Sequence, residues 1–144
     1  TDALLAALEQ TVGGGVPRRV VIVGAGHLGC ALATHGEFRE QGFEVCGVFD
    51  RSRRVIGKQV GPLAVQGMDA LPKAVRARHV EIGVLAVPAA AAQEVTDRLV
   101  DAGIRGVLNL ACAHVQAPDG VFVVDAHLVE QLQELACVLG ASNG

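Results

Sequence analysis

Val20-Val21-Ile22-Val23-Gly24-Ala25-Gly26-His27-Leu28-Gly29 is the stretch whose reading decides the fold. The four apolar residues at its start read as a buried strand. They run into a Gly-x-Gly-x-x-Gly turn, and Cys30-Ala31-Leu32-Ala33 carries on as a helix. Each glycine has its own physical reason. Gly24 permits the tight turn out of the strand. Gly26 lets a pyrophosphate approach a backbone with no β-carbon in the way, and Gly29 lets the helix pack closely on the strand. The helix start offers unpaired N–H groups and a positive dipole end to that phosphate, so Ala25, His27 and Leu28 join the three glycines as candidates. A second apolar strand, Val45-Cys46-Gly47-Val48-Phe49, ends in Asp50. An acid about 20 residues past the last glycine is placed to accept hydrogen bonds from the ribose hydroxyls of an adenosine. Strand, glycines, helix and acid in that order point to dinucleotide binding. A glycine turn with no ligand is the bland alternative, and the glycines alone would not separate the two.

Length and composition narrow the class. At 144 residues the chain is long enough for one domain with a real core. Trp and Tyr are absent and there are only 4 Phe, yet 51% of residues are hydrophobic, so the core must be Val, Leu, Ile and Ala. That is the composition of a parallel sheet covered by helices. A net charge of −3 gives no unaided attraction to nucleic acid or an anionic membrane. The longest apolar candidates, Ile82 to Gln93 and Gly106 to Asp119, fall short of the roughly 18 residues a membrane span needs, and no secretory signal precedes them. Cys30, Cys46, Cys112 and Cys137 are scattered, which predicts buried, reduced thiols in a cytoplasmic protein.

The periodicity predicts alternating strands and helices. Asp2 to Gln10 reads as a short amphipathic helix and Gly13-Gly14-Gly15 as a flexible joint. Strands are expected at Arg19 to Val23, Glu44 to Phe49, near Leu63 to Val65, at Val80 to Val87, Arg105 to Leu110 and Val121 to Val124. Helices are expected at Leu28 to Gln41, Met68 to Arg78 with Pro72 in its first turn, Ala89 to Ala102 and Leu128 to Leu139. The alternation implies βαβ crossovers: an α/β, doubly wound parallel sheet of the Rossmann dinucleotide-binding type, with residues 1–15 as connecting helix and linker and residues 16–144 as the domain proper. Ligands of such sheets sit beyond the carboxyl ends of the strands at the switch in strand order, which nominates the loops Gly24–Gly29, Asp50–Arg54, Val87–Pro88 and Asn109–Cys112.

Several residues carry two readings. Asp50 repels a 2′-phosphate and so favours NAD(H) over NADP(H), whereas Arg51, Arg53 and Arg54 could hold that phosphate or form a solvated basic loop. His27 either bonds the pyrophosphate or faces solvent. Val87-Pro88 either exposes backbone at a cofactor crevice or simply ends a strand. Asn109 either donates to ribose or the nicotinamide amide, or stabilises its own turn. Cys112 and His114 lack the further ligands a zinc site needs, and Cys112 reads as a packed loop thiol. Leu128, Val129, Leu132, Leu135, Ala136 and Leu139 form an apolar stripe that suits packing on the sheet or exchange with a partner.

With these residues laid out, the chain resembles the Rex family of redox-sensing transcriptional repressors. The resemblance runs from about Leu4 to Leu139 and is carried by the glycine segment to Ala33, Phe49-Asp50, Ile56-Gly57-Lys58, Val84 to Gln93 and Leu99 to Asn109. It implies a domain that binds NADH and NAD⁺ at one site, a homodimer whose last helix (Leu128, Leu132, Leu135, Leu139) is exchanged between subunits, and a repressor that releases operator DNA when NADH accumulates. DNA contact would come only through a winged-helix domain absent from this sequence. His27 stands where the family usually has Asn, Cys112 where it has Pro, and His127 where it has Asp. Two other classes stay in view. A small NAD-dependent oxidoreductase lacks support because no Tyr and no substrate domain supply an acid–base group. A CoA-binding domain of the acyl-CoA-ligase type shares the fold, but Asp50 would repel the 3′-phosphate of CoA.

Overall fold

The computed structural model describes residues 17–126, 132 and 135–140. The amphipathic segment Asp2 to Gln10, the Gly13-Gly14-Gly15 joint, His127 and Leu128 lie outside them. Among the described residues seven strands form one sheet: β1 (Arg18–Val23), β2 (Phe43–Phe49), β3 (Gln59–Val60), β4 (Leu63–Gln66), β5 (Ile82–Leu85), β6 (Gly106–Asn109) and β7 (Phe122–Asp125). Their order is β3-β4-β2-β1-β5-β6-β7, and every pairing is parallel except the antiparallel β3–β4. The chain winds outward from β1 through β2 to β4, then crosses back to β5 and winds the other way. The switch therefore falls between β1 and β5, and the expected α/β, doubly wound sheet is what the chain forms.

Helices α1 (His27–Ala33), α2 (Glu37–Glu40), α3 (Leu71–Arg78) and α4 (Ala92–Ala102) connect the strands. β1 explains why the centre is dry. Val20, Val21, Ile22 and Val23 are all at most 5% exposed, and alternate residues serve opposite faces. Val21 and Val23 pack with Leu71, Val75, Val95 and Leu99 from α3 and α4. Val20 and Ile22 pack with Val84 on the other face, where Leu32 and Ala33 of α1 join them. On that second face β7 is bare, with Phe122 75% and Val124 51% exposed.

The structure departs from the sequence expectations in four places. The helix expected over Leu28 to Gln41 breaks at Thr34–Gly36 into α1 and α2. The Thr34 hydroxyl turns back to the Cys30 and Ala31 carbonyls (2.9 and 3.3 Å), and His35 Nδ1 accepts the Glu37 N–H (3.2 Å), starting a new turn. The Val80 to Val87 strand shrinks to Ile82–Leu85, because the Val80 N–H closes the end of α3 on the Val75 carbonyl. A hairpin strand, β3, turns at Gly61 in the left-handed region (φ 59°), which the following Pro62 could have announced. The thiols are the fourth correction: Cys112 and Cys137 are exposed and Cys30 and Cys46 only half-buried, against the expectation of buried and packed. Pro72 does sit in the first turn of α3, and Gly103 ends α4 at φ 107°.

Leu99 is fully buried, and its methyl groups fill the space that a side chain on Gly83 would take. Leu99→Ala should therefore lower the free energy of unfolding by about 2–5 kcal/mol, read by urea denaturation, with α4 losing its seat on β5.

Candidate functional site

The carboxyl ends of β1, β2 and β5 are stitched together by main-chain bonds. Gly24 N–H donates to the Phe49 carbonyl at 2.7 Å and Ala86 N–H donates to the Val23 carbonyl at 2.8 Å. Asp50 completes the set through its side chain. One carboxylate oxygen accepts the Ala25 N–H at 2.8 Å and the other accepts the Ser52 N–H at 2.8 Å. Asp50 thus clasps the glycine turn while staying half-exposed on the crevice side.

The three motif glycines differ. A β-carbon on Gly24 would lie 2.1 Å from the Ala86 carbonyl oxygen, and φ is 112°. One on Gly29 would lie 1.7 Å from the Gly24 carbonyl oxygen. The fold itself forbids a side chain at both. Gly26 caps α1 in an extended conformation (φ −78°, ψ −166°) that any residue adopts, and a β-carbon there meets nothing within 4 Å. The protein's own packing does not need glycine at this position. Nor does the cap offer a side-chain acceptor to the first amides of α1. His27 and Leu28 form the exposed rim of this turn, and Ala25 is buried beneath it.

Beside the turn lies a small, open crevice of about 60 Å³, lined by Val23, Gly24, Asp50, Arg51, Met68, Val87, Pro88, Ala91 and Val95. Gly24, Asp50, Arg51, Val87 and Pro88 were nominated by the sequence and here share one cavity. Met68, Ala91 and Val95 were not. Ala91 and Val95 follow the nominated Pro88, and their four-residue spacing is the only signal that could have found them. Met68 enters from the turn after β4, which the fold alone brings over. Its lining is apolar apart from Asp50 and Arg51, which put both charges at one end.

Asn109 sits apart from the crevice. It is fully buried, its amide donates to the Ala113 carbonyl (2.7 Å) and Asp125 Oδ1 (2.9 Å), and its oxygen accepts the Ala111 N–H (3.0 Å). Every one of these bonds shapes the β6–β7 loop, which matches the turn-stabilising alternative. The remaining cysteine detail is local: burial pushes the Cys46 thiol up, with Arg78 opposing. Among the described residues no group of three or more His, Cys, Asp or Glu could hold a metal, and no helix is long and apolar enough to cross a membrane.

This geometry has counterparts. A sequence model of the CoA binding domain family matches residues 16–113. The redox-sensing transcriptional repressor Rex of Carboxydothermus hydrogenoformans is 47% identical over 116 residues, covering 81% of this chain and 56% of the relative. The chain belongs to the CoA binding domain family, and the curated relatives named here are Rex repressors. Two structures of RSP, a Rex-family repressor, superpose on 99% of the chain at 29% identity. One is a complex with β-NAD⁺ and operator DNA (TM-score 0.86, 65% of that chain covered), the other with β-NADH (TM-score 0.84, 69% covered). The chain spans about half the length of the curated Rex relatives it matches, from 46% to 57% for the first of them. Those Rex relatives are named repressors, not enzymes.

The glycines separate by stability. Gly24→Ala should lower the melting temperature by many degrees, because backbone strain and a main-chain clash act together. Gly26→Ala should leave the melting temperature within about a degree or two of the parent in the same scanning calorimetry.

Proposed function

We propose that this chain is the NADH/NAD⁺-sensing and dimerisation domain of a Rex-like transcriptional repressor, reading the cellular NADH/NAD⁺ ratio and releasing operator DNA when NADH binds. The observation that carries the reading is Gly26. A glycine that neither backbone conformation nor packing requires, at the start of a helix and beside an acid, is explained by a ligand that must come within contact of the main chain. The residues suit NAD(H). The turn Gly24-Ala25-Gly26-His27-Leu28-Gly29 would hold the pyrophosphate on main-chain amides. Asp50 would take the adenosine ribose hydroxyls on a carboxylate already oriented by Ala25 and Ser52. Val87 and Pro88, with Met68, Ala91 and Val95, would pack the adenine, and Arg51 would border it. Asn109 would act by shaping the loop at the nicotinamide end rather than by a free donor.

The bound nucleotide supplies a nicotinamide that is cationic and planar when oxidised, neutral and puckered when reduced. The domain does no chemistry on it. Two arrangements of a homodimer that differ in affinity for the two forms would shift in population with the ratio. A shift from nearly all bound to nearly all free needs about 5.5 kcal/mol of differential binding. We place the dimer contact on the C-terminal helix, through Leu128, Leu132, Leu135 and Leu139. In support, Leu132 and residues 135–140 are helical, and Leu132, Leu135 and Leu139 are 54–58% exposed. Residues 1–15 would connect residues 16–144 to a winged-helix domain that contacts DNA, in a cytoplasmic protein.

Titration with NADH, NAD⁺, NADPH and CoA tests the ligand, and the lack of Trp and Tyr leaves nucleotide emission easy to read. NADH should bind tightest. Asp50→Ala should weaken it several-fold, and Gly26→Val should abolish it without loss of the circular dichroism signal. Tight CoA binding with no NADH binding would overturn the reading. For the assembly, Leu135→Glu combined with Leu139→Glu should convert dimer to monomer in sedimentation velocity, and an unchanged dimer would remove the helix from the interface.

A further inference from the structure

Glu94 lies in the first turn of α4, outside the crevice lining but within ion-pair distance of Arg51, which lines it. One of its oxygens lies 3.7 Å from Arg51 Nη1 and the other 3.7 Å from Arg98 Nη2, one helical turn along. The start of α4 favours a negative charge at that position, and the i,i+4 arginine supports it from behind. Arg51 and Arg98 thus share the Glu94 carboxylate, one arginine on each oxygen. The Arg51 and Glu94 side chains are largely solvated, 64% and 59% exposed, so the pair itself adds little to stability. Its consequence lies in what Arg51 is kept from doing.

Arg51 directly follows the carboxylate that would meet the adenosine ribose. A guanidinium there is the natural partner of a 2′-phosphate. We propose that Glu94 is a second specificity residue of the crevice: by engaging Arg51 it withholds that guanidinium from a 2′-phosphorylated ribose, and so reinforces the repulsion from Asp50. This rests on the dinucleotide reading given above. Asp50 acts on the phosphate directly, whereas Glu94 acts through Arg51. Glu94 is a positioning residue in this respect, acting on Arg51 alone of the three arginines in the basic loop. A dinucleotide bearing the extra phosphate must break the Arg51–Glu94 contact and also approach Asp50; one without it does neither.

The test compares NADH and NADPH binding to the parent chain, to Glu94→Gln and to Glu94→Gln combined with Arg51→Met, by nucleotide fluorescence at low and moderate salt. In Glu94→Gln, NADPH affinity should rise by about two- to fivefold while NADH stays within about 1.5-fold, the size expected for freeing one partly solvated charge. The gain should vanish in the double variant and shrink as salt rises, which a structural effect of the glutamate on the helix would not do. NADH binding with an NADPH/NADH ratio unmoved in Glu94→Gln overturns the role of Glu94 alone. Equal binding of NADPH and NADH by the parent overturns it too, since nothing would then be withheld. Failure of the parent to bind either nucleotide overturns both this inference and the dinucleotide reading beneath it.

Discussion

Everything at the working end of this fold depends on how closely three backbones can approach where β1 ends. The chain leaves β1 between β2 and β5 and beneath α1, and there is no room for a β-carbon on either side. Gly24 lies against the Ala86 carbonyl and Gly29 against the Gly24 carbonyl. A methyl group at either position would push β5 or α1 outward. The crevice between the Asp50 and Pro88 loops exists because those approaches are made. The same contacts set the helix start beside Asp50, whose carboxylate then locks the turn through Ala25.

Asp50 holds two positions in this arrangement. It is a structural clasp, accepting two main-chain N–H groups, and among the described residues it is the only acidic side chain lining the crevice. A carboxylate has about four acceptor sites, so two bonds to the protein leave capacity for hydroxyl donors from a ligand. Orientation by the main chain reduces the entropy lost when such donors arrive. In the proposed sensor this matters more than tight binding, because a ratio of two similar nucleotides is read by small differences in fit, not by total affinity. Glu94 extends the same logic one shell outward by fixing where the nearest positive charge rests.

Legibility in the sequence followed the range of the forces involved. β1, β2 and β6, the cap at Gly103 and the first-turn Pro72 were readable because they depend on nearest neighbours and on burial of a short apolar run. The break at Thr34–Gly36 was not, since it turns on whether a threonine hydroxyl and a histidine nitrogen capture main-chain groups that a helix would otherwise use. Cys112 was read as packed because nothing near it in sequence suggested a metal site, yet the loop that carries it is organised by Asn109 and leaves the thiol outside. Asn109 shows the same limit: its residue type fitted a ligand donor as well as a turn, and only the positions of Ala111, Ala113 and Asp125 decide which bonds it makes.

The alternation of apolar strands with helices was enough by itself to specify a doubly wound sheet, and the spaced glycines, the acid after β2 and Val87-Pro88 named three of the loops that meet at its crevice, because those features are local; the fourth nominated loop, at Asn109, lies apart from it. Which glycines the fold needs, and which one it leaves free, emerged only from the packed structure, where Ala86 closes on Gly24 and nothing approaches Gly26. The apolar wall of Met68, Ala91 and Val95, and the hold of Glu94 on Arg51, likewise belong to tertiary structure. They join residues from four separate loops and helices, and the distances that matter are set by how α4 settles on β5, not by any spacing along the chain.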